Sequence, residues 1–337
     1  MAAVKIHPAK KFPMLTYSVA IRTLGLSRES LMKTLQGIFR QTYAPKTVNI
    51  YIAEGYAIPD FRVGTERYLY VGKGMMSQRA LNYEEIDSDI ILMLDDDIYL
   101  DSDVAQRMVT EMETGSWDLI GIDIFANHKL SPKLKIKAFL TSLVRPHKRK
   151  KIAFRLHPSG AFSYISSPEP RVYLSDTCAG AIMMWRLDSF RSIRATDECW
   201  IDRFGFPYGE DALLSYKAKA NGLKVGVDFR GGFTNLDAAT SSERYKANPE
   251  RFYIRSLLIT MTWWRMLYKP EGNGKHGSIK ALTAWVTRSF FTLPSIIGAS
   301  LASRSLQPLC LHIRGIRDGL SKSRKASLPP YIIKSRQ

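Results

Sequence analysis

Three adjacent carboxylates, Asp95, Asp96 and Asp97, follow directly on the apolar run Asp89-Ile-Ile-Leu-Met-Leu94. Carboxylates this close repel one another, so a fold that gathers them gains from a cation. Hard divalent ions such as Mg2+ or Mn2+ take oxygen ligands and share them with substrate phosphates. An ion held here would neutralise charge building on a diphosphate leaving group. A second acidic pair, Glu210-Asp211, follows Gly209 and an aromatic stretch containing Trp200, Phe204, Phe206 and Tyr208. A carboxylate among aromatic rings has the environment of a general base. Both features also have a plainer reading. Residues 95–97 would serve equally as a solvated acidic turn, and residues 210–211 as first-turn acids that complement a helix dipole.

The elements around these acids decide between the readings. Leu15–Ile21 reads as a strand, and Arg28 to about Gln41 as a helix with Leu31, Leu35 and Ile38 on one face. Thr47–Ala53 is a second strand and Met75–Tyr83 a second helix. The run at 89–94 is apolar at successive positions, as in a central strand covered on both faces. Trp117–Ile124 is another strand, Val172–Trp185 is strand-like, and a helix over Ala212–Ala220 precedes a last strand at Leu223–Val227. Alternation of this kind predicts a mostly parallel α/β sheet, whose ligands bind at the C-terminal ends of the strands. Asp95–Asp97 fall at that edge. The polar, basic stretch 126–171 reads as an inserted acceptor loop or a disordered segment.

Composition bounds the partners. Over 337 residues, 49 Lys and Arg against 31 Asp and Glu give a net charge of +18, which calls for a polyanion. Nucleic acid, an anionic lipid surface and a phosphorylated substrate all meet that demand. From Arg251 onward there are 15 basic residues against only Glu271 and Asp318. The same region carries Phe252, Trp263, Trp264 and Tyr268, then the apolar Trp285–Leu301 interrupted by Pro294, which is expected to break a helix there. Basic residues flanking Trp- and Phe-rich amphipathic helices suit the headgroup region of an anionic leaflet; the alternatives are packing on the rest of the chain or a homo-oligomer face. Cys178, Cys199 and Cys310 lack metal-ligand spacing and fit a reducing compartment. With no apolar run long enough to span a bilayer, the expected location is cytoplasmic, peripheral on the inner face of the cell membrane.

The order of the motifs resembles a known family. Val19-Ala-Ile-Arg-Thr23, Leu35–Pro45, Gly74–Asn82 and Leu92–Ile98 are similar to the nucleotide-binding half of family 2 glycosyltransferases, the inverting GT-A fold enzymes that include bacterial polysaccharide-assembling members. Cys178–Met184 and Phe206–Ala212 resemble that family's acceptor-side strand and Glu-Asp motif. The resemblance implies a GT-A (Rossmann-like) domain over residues 1–250, with a nucleotide-binding half at about 14–125 and an acceptor half at about 126–250. A basic helical region, 251–337, would follow for membrane-surface or oligomer contact. It implies a nucleotide diphosphate sugar donor, a glycan or lipid-linked acceptor, and Mn2+ or Mg2+.

Residue by residue, the resemblance puts Ile21, Arg22, Thr23 and Glu54 near the base and ribose, Glu54 standing where the family usually has Asp. Lys73, Gln78 and Arg79 fall where the family contacts the nucleotide and its phosphates, and Asp96 lies within that nucleotide-sugar site. Asp97 matches the direct metal ligand, with Asp95 nearer the ribose and the metal's waters. Asp211 matches the general base and Glu210 its acceptor-side partner. Many members supply a later His to the metal; this chain offers Asn235 or Asp237 there. Two other readings stand beside this one. A nucleotidyltransferase would show a glycine-rich basic loop after the first strand, which Arg22-Thr-Leu-Gly-Leu26 is not. A nucleic-acid-binding protein would have its phosphates repelled by the carboxylates at the ligand edge, so no nucleic-acid partner is expected.

Overall fold

In the computed structural model, residues 15–124, 151–165, 168–206, 208–236, 250–270 and 275–333 are described. Among them, eight strands form one mixed, mostly parallel sheet in the order β3-β2-β1-β4-β10-β6-β11-β9. The parallel part is β1 (Tyr17–Thr23), β2 (Val48–Ala53), β3 (Arg67–Val71) and β4 (Ile90–Asp95). Short β5 (Ile98–Leu100) leaves this sheet, and β6 (Leu119–Ile122) returns to it. β7 (Phe154–Leu156) and β8 (Phe162–Tyr164) form a separate hairpin, and β9 (Val172–Leu174) is the far edge of the large sheet. β10 (Ile182–Arg186) runs antiparallel between β4 and β6, and β11 (Val225–Asp228) lies parallel to β6. β12 (Phe233–Asn235) pairs with β5.

Alternation along the strands supplies both faces. Ile90, Leu92 and Leu94 of β4 pack with α1 (Arg28–Phe39) and α3 (Val104–Gly115). Ile91 and Met93 point to the other face. That second layer holds α2 (Met75–Arg79), α4 (Leu187–Ser192), a 3-10 helix (Ala195–Phe204), α5 (Glu210–Ala220) and α6 (Arg251–Trp263). Helix α6 ends in a π turn, Trp264–Tyr268, and α7 (Lys275–Ala302) and α8 (Gln307–Lys325) follow. Leu257, Leu258, Met261 and Tyr331 belong to the same core as the sheet residues.

Three sequence expectations need correcting. The second helix stops at Arg79, with Ala80 as its C-cap, and the expected continuation to Tyr83 is irregular chain, Tyr83 itself having φ 52. Pro294 does not break its helix: α7 runs through it for 28 residues. Proline withdraws the N–H that would reach the carbonyl of Phe290, and both residues are exposed, so water can take that carbonyl. The tryptophans expected at a membrane surface face inward instead. Trp263 and Trp285, 1% and 8% exposed, stack at 4.8 Å and fasten α7 to α6. Of the stretch 126–171, residues 151–165 form the β7–β8 hairpin and its approach, and 126–150 lie outside the described residues.

Candidate active site

Because β1, β2, β3 and β4 are parallel, their C-terminal ends share one edge. Arg22 and Thr23 end β1, Glu54 follows β2, Lys73 follows β3 and Asp95 ends β4. Chain order alone therefore brings five of the expected residues to the edge where open sheets bind ligands.

At the centre of that edge are two guanidinium groups and two carboxylates. Arg22 donates through Nε to Asp95 Oδ1 at 2.9 Å and through Nη1 to the carbonyl of Met75 at 2.9 Å. Arg79, 2% exposed, donates through Nη1 to Glu210 Oε1 at 3.0 Å and through Nη2 to the carbonyl of Gly180 at 2.9 Å. Asp95 Oδ1 lies 3.5 Å from Arg79 and Glu210 Oε1 lies 3.7 Å from Arg22, closing the square. A buried charge is tolerable when it is paired and hydrogen-bonded, and this set balances. Burial above all raises the Glu210 carboxyl above its ordinary value, against the opposing pull of Arg79. Gly180 leaves room for this clamp, since a Cβ there would collide with the Arg79 guanidinium and displace it.

Asp211 occupies the first turn of α5, next to this square. Its Oδ1 accepts from its neighbour's N–H, Ala212, at 2.7 Å, and Oδ2 accepts from the Gly180 N–H at 3.3 Å. Each oxygen keeps acceptor capacity for a further proton donor. Burial, with the Asp211 charge adding to it, pushes the Cys178 thiol up, so the nearby cysteine stays protonated.

The remaining acids divide by environment. Asp96 accepts a hydrogen bond from the Thr23 hydroxyl, and burial pushes its carboxyl up to about 6, with Asp95 and Asp97 adding to the rise. Asp97 is half-buried, and its carbonyl accepts from the Leu236 N–H at 2.8 Å. That bond extends the β5–β12 pairing and brings Asn235 alongside Ile98, directly after the acidic triplet. Asp237 lies outside the described residues. Among the described residues no three His, Cys, Asp or Glu side chains are grouped to hold a metal ion. The oxygen donors at 95–97 and 235 fit a hard cation that takes much of its shell from outside the protein, not one caged by it.

Not every expected residue meets the others. The Ile21 side chain is fully buried with the α1–α3 layer, and its backbone pairs with Ile50 and Leu94. Gln78 is buried and its amide donates to the carbonyls of Thr23 and Tyr51, at 3.2 and 3.1 Å, tying the ends of β1 and β2 together. Glu54 and Lys73 lie further out on the same edge, both exposed, with Lys73 donating to the Tyr56 hydroxyl at 3.0 Å.

Two supports of the site escaped the sequence reading. Asp202, on the 3-10 helix, accepts from the Met76 N–H at 3.0 Å, and from the Ser77 N–H and hydroxyl at 2.8 and 2.7 Å. It caps α2, the helix that presents Gln78 and Arg79. Gly74 leaves room for it: at φ 154, a Cβ there would collide with the Asp202 carboxylate. Asp202→Ala is expected to cost about 1–2 kcal/mol, the worth of a lost cap, seen as a lower urea midpoint at unchanged slope.

The second support is Glu198, which is fully buried. Its two oxygens accept from Arg265 at 2.5 and 2.6 Å, from Lys217 of α5 at 2.9 Å and from Trp200 Nε1 at 3.0 Å. The Tyr331 ring lies under both cations, at 5.3 Å from Arg265 and 5.9 Å from Lys217, and its hydroxyl donates to the Leu213 carbonyl of α5 at 2.6 Å. The helix bearing Glu210 and Asp211 is thus held from beneath by a buried ion cluster and an aromatic plug. Neither partner has a local sequence signal.

No family model matches the chain, and no curated protein matches it. Among solved structures, the chain path is similar to S. aureus TarS 1-349 in complex with UDP, at 13% identity and TM-score 0.49, covering 92% of each chain. It is also similar to a second structure of S. aureus TarS 1-349, at 13% identity and TM-score 0.48 over 92% of each chain. Against GalNAc-T7 with UDP, GalNAc and Mn2+ the values are 12% and 0.45, covering 87% of this chain and 59% of that one. The chain therefore spans little more than half of the GalNAc-T7 structure. At such identities and TM-scores these are likenesses of chain path alone.

Proposed function

We propose that the chain is an inverting, metal-dependent GT-A glycosyltransferase, moving a sugar from a nucleoside diphosphate donor to a hydroxyl of a glycan or lipid-linked acceptor. One juxtaposition carries the reading. Asp95, at the end of β4, and Glu210, at the start of α5, meet the same two arginines, Arg22 and Arg79. The acidic triplet and the Glu-Asp pair are therefore parts of one site and not two unrelated acidic turns.

In this mechanism Asp211 takes the proton of the acceptor hydroxyl as that oxygen forms its bond to the anomeric carbon. The bond from that carbon to the diphosphate oxygen breaks, and its electron pair leaves with the diphosphate. A cation shared between Asp97 and the diphosphate would supply charge neutralisation at the leaving oxygens. Arg79 clamps Glu210 and so fixes the start of α5, while the N–H groups of Ala212 and Gly180 orient the base. Lys73, exposed on the same edge, supplies a positive charge toward the donor phosphates. Residues 1–250 form the catalytic unit, with 251–337 as a basic helical extension.

The test is thermal stabilisation of the protein by UDP, dTDP, GDP, CMP and ATP, each with and without Mn2+ or Mg2+. A nucleotide at about 100 times its Kd adds roughly 2.7 kcal/mol. The expected result is a shift with one nucleoside diphosphate that requires the metal and is lost in Asp97→Ala. No shift with any nucleotide would overturn the proposal.

A further inference from the structure

Helix α7 has two unlike faces along its 28 residues, about 42 Å at 1.5 Å per residue. Its inner face is anchored: Ala281, Trp285 and Ser300 are buried, and Arg288 donates to the Ser159 carbonyl at 3.0 Å. On the outer face Ile279, Val286, Phe290, Ile297 and Leu301 recur at helical spacing and stand in solvent, with Ile279, Phe290 and Leu301 at 61%, 70% and 74% exposure. A continuous apolar stripe of this length is uncommon on a free surface and marks an interaction site. No helix among the described residues is long and apolar enough to cross a membrane.

We propose that this outer face of α7 seats the protein on an anionic lipid bilayer, with the helix lying in the plane of the headgroups. Charge selects the occupant. Residues 275–325 contain nine Lys and Arg and one acid, Asp318; within α7 every charged residue is basic, Lys280 standing exposed beside Ile279 while Arg288 is turned to the inner face. A second copy of the chain would bring like charges together across the stripe, which disfavours association. An anionic bilayer offers an apolar layer for the stripe and negative headgroups for the flanking cations. The anchored inner face lets the helix lie flat and keeps it from plunging inward. The inference holds whether or not the site at the sheet edge transfers a sugar, and it is tested without donor or acceptor.

The experiment is flotation of the full chain with vesicles of phosphatidylcholine alone and of phosphatidylcholine mixed with phosphatidylglycerol, at low and high salt. The expected result is co-flotation with the anionic vesicles, weakened by salt, and little with the neutral ones. The double variant Phe290→Glu with Leu301→Glu should lose about tenfold or more of the bound fraction while melting like the parent, since both side chains are exposed. Equal flotation of parent and variant would overturn the proposal, as would a parent that stays with neither vesicle. Light scattering supplies the other defeat: a dimer dissolved by the variant, without vesicle binding, would make the stripe an interface between copies.

Discussion

Asp211→Asn is expected to lower turnover by about 10²–10⁴-fold, the usual worth of a positioned base, with little change in the melt. An amide cannot accept the hydroxyl proton, yet it is nearly the size of the acid it replaces. Its oxygen can keep the 2.7 Å bond from the Ala212 N–H. Its nitrogen would then face the Gly180 N–H, now 3.3 Å from Oδ2, so one weak hydrogen bond is exchanged for a donor facing a donor. That costs about 1 kcal/mol, far less than the catalytic loss. The check is steady-state turnover beside a urea titration. A variant that transfers sugar at near-parental rate would remove Asp211 from the role of base, while leaving the metal-dependent nucleotide shift to be judged separately.

Glu198→Ala is expected to cost about 3–5 kcal/mol, because it strands the Arg265 cation in a buried site and leaves Lys217 only its longer pair with Asp197, at 3.5 Å. Lys217 and Glu198 are both fully buried, so water cannot substitute for the missing carboxylate. The acid dependence of stability follows from the same cluster. Burial alone would raise the Glu198 carboxyl, but the hydrogen bonds and charge of Arg265, and then Lys217, hold it below its ordinary value. A lowered folded-state value means that the contribution is complete above the ordinary glutamate pKa, about 4.3, and is lost as pH falls through the folded-state value. The variant should therefore show both a lower urea midpoint at neutral pH and a flatter decline in acid. A cost below about 1 kcal/mol would mean that the cluster is neutral in the fold. Turnover should fall too, since Lys217 anchors the helix that begins with Glu210 and Asp211.

What the sequence discloses and what it hides have a common cause. β1, β2 and β4 are legible because each is mostly apolar and buried on both faces, β4 most plainly with five apolar residues in succession. β3, with exposed and half-buried residues at the sheet edge, carries no such run. The antiparallel direction of β10 is equally silent, because direction depends on where the chain has travelled and not on the strand's composition. The carboxylates of the site were legible by type and by position after a strand. Their partners were not: Arg79 meets Glu210 across 131 residues, and Met76 meets Asp202 across 126. Pro294 shows the reverse failure, a strong local signal overruled because the carbonyl it orphans is open to water.

The place of β10 has a consequence for how the polypeptide is made. Among the described strands, β6 pairs only with β10 and β11, and β4 has β10 on its inner side. A nascent chain that has emerged as far as residue 181 thus carries a four-stranded slab with a hydrophobic flank open at β4, and a loose β6 without a neighbour. Unpaired edges of this kind recruit other chains. Until Ile182–Arg186 leaves the ribosome, the half-made protein is the species most in need of a chaperone, and any interruption of translation before that point would yield material prone to aggregate.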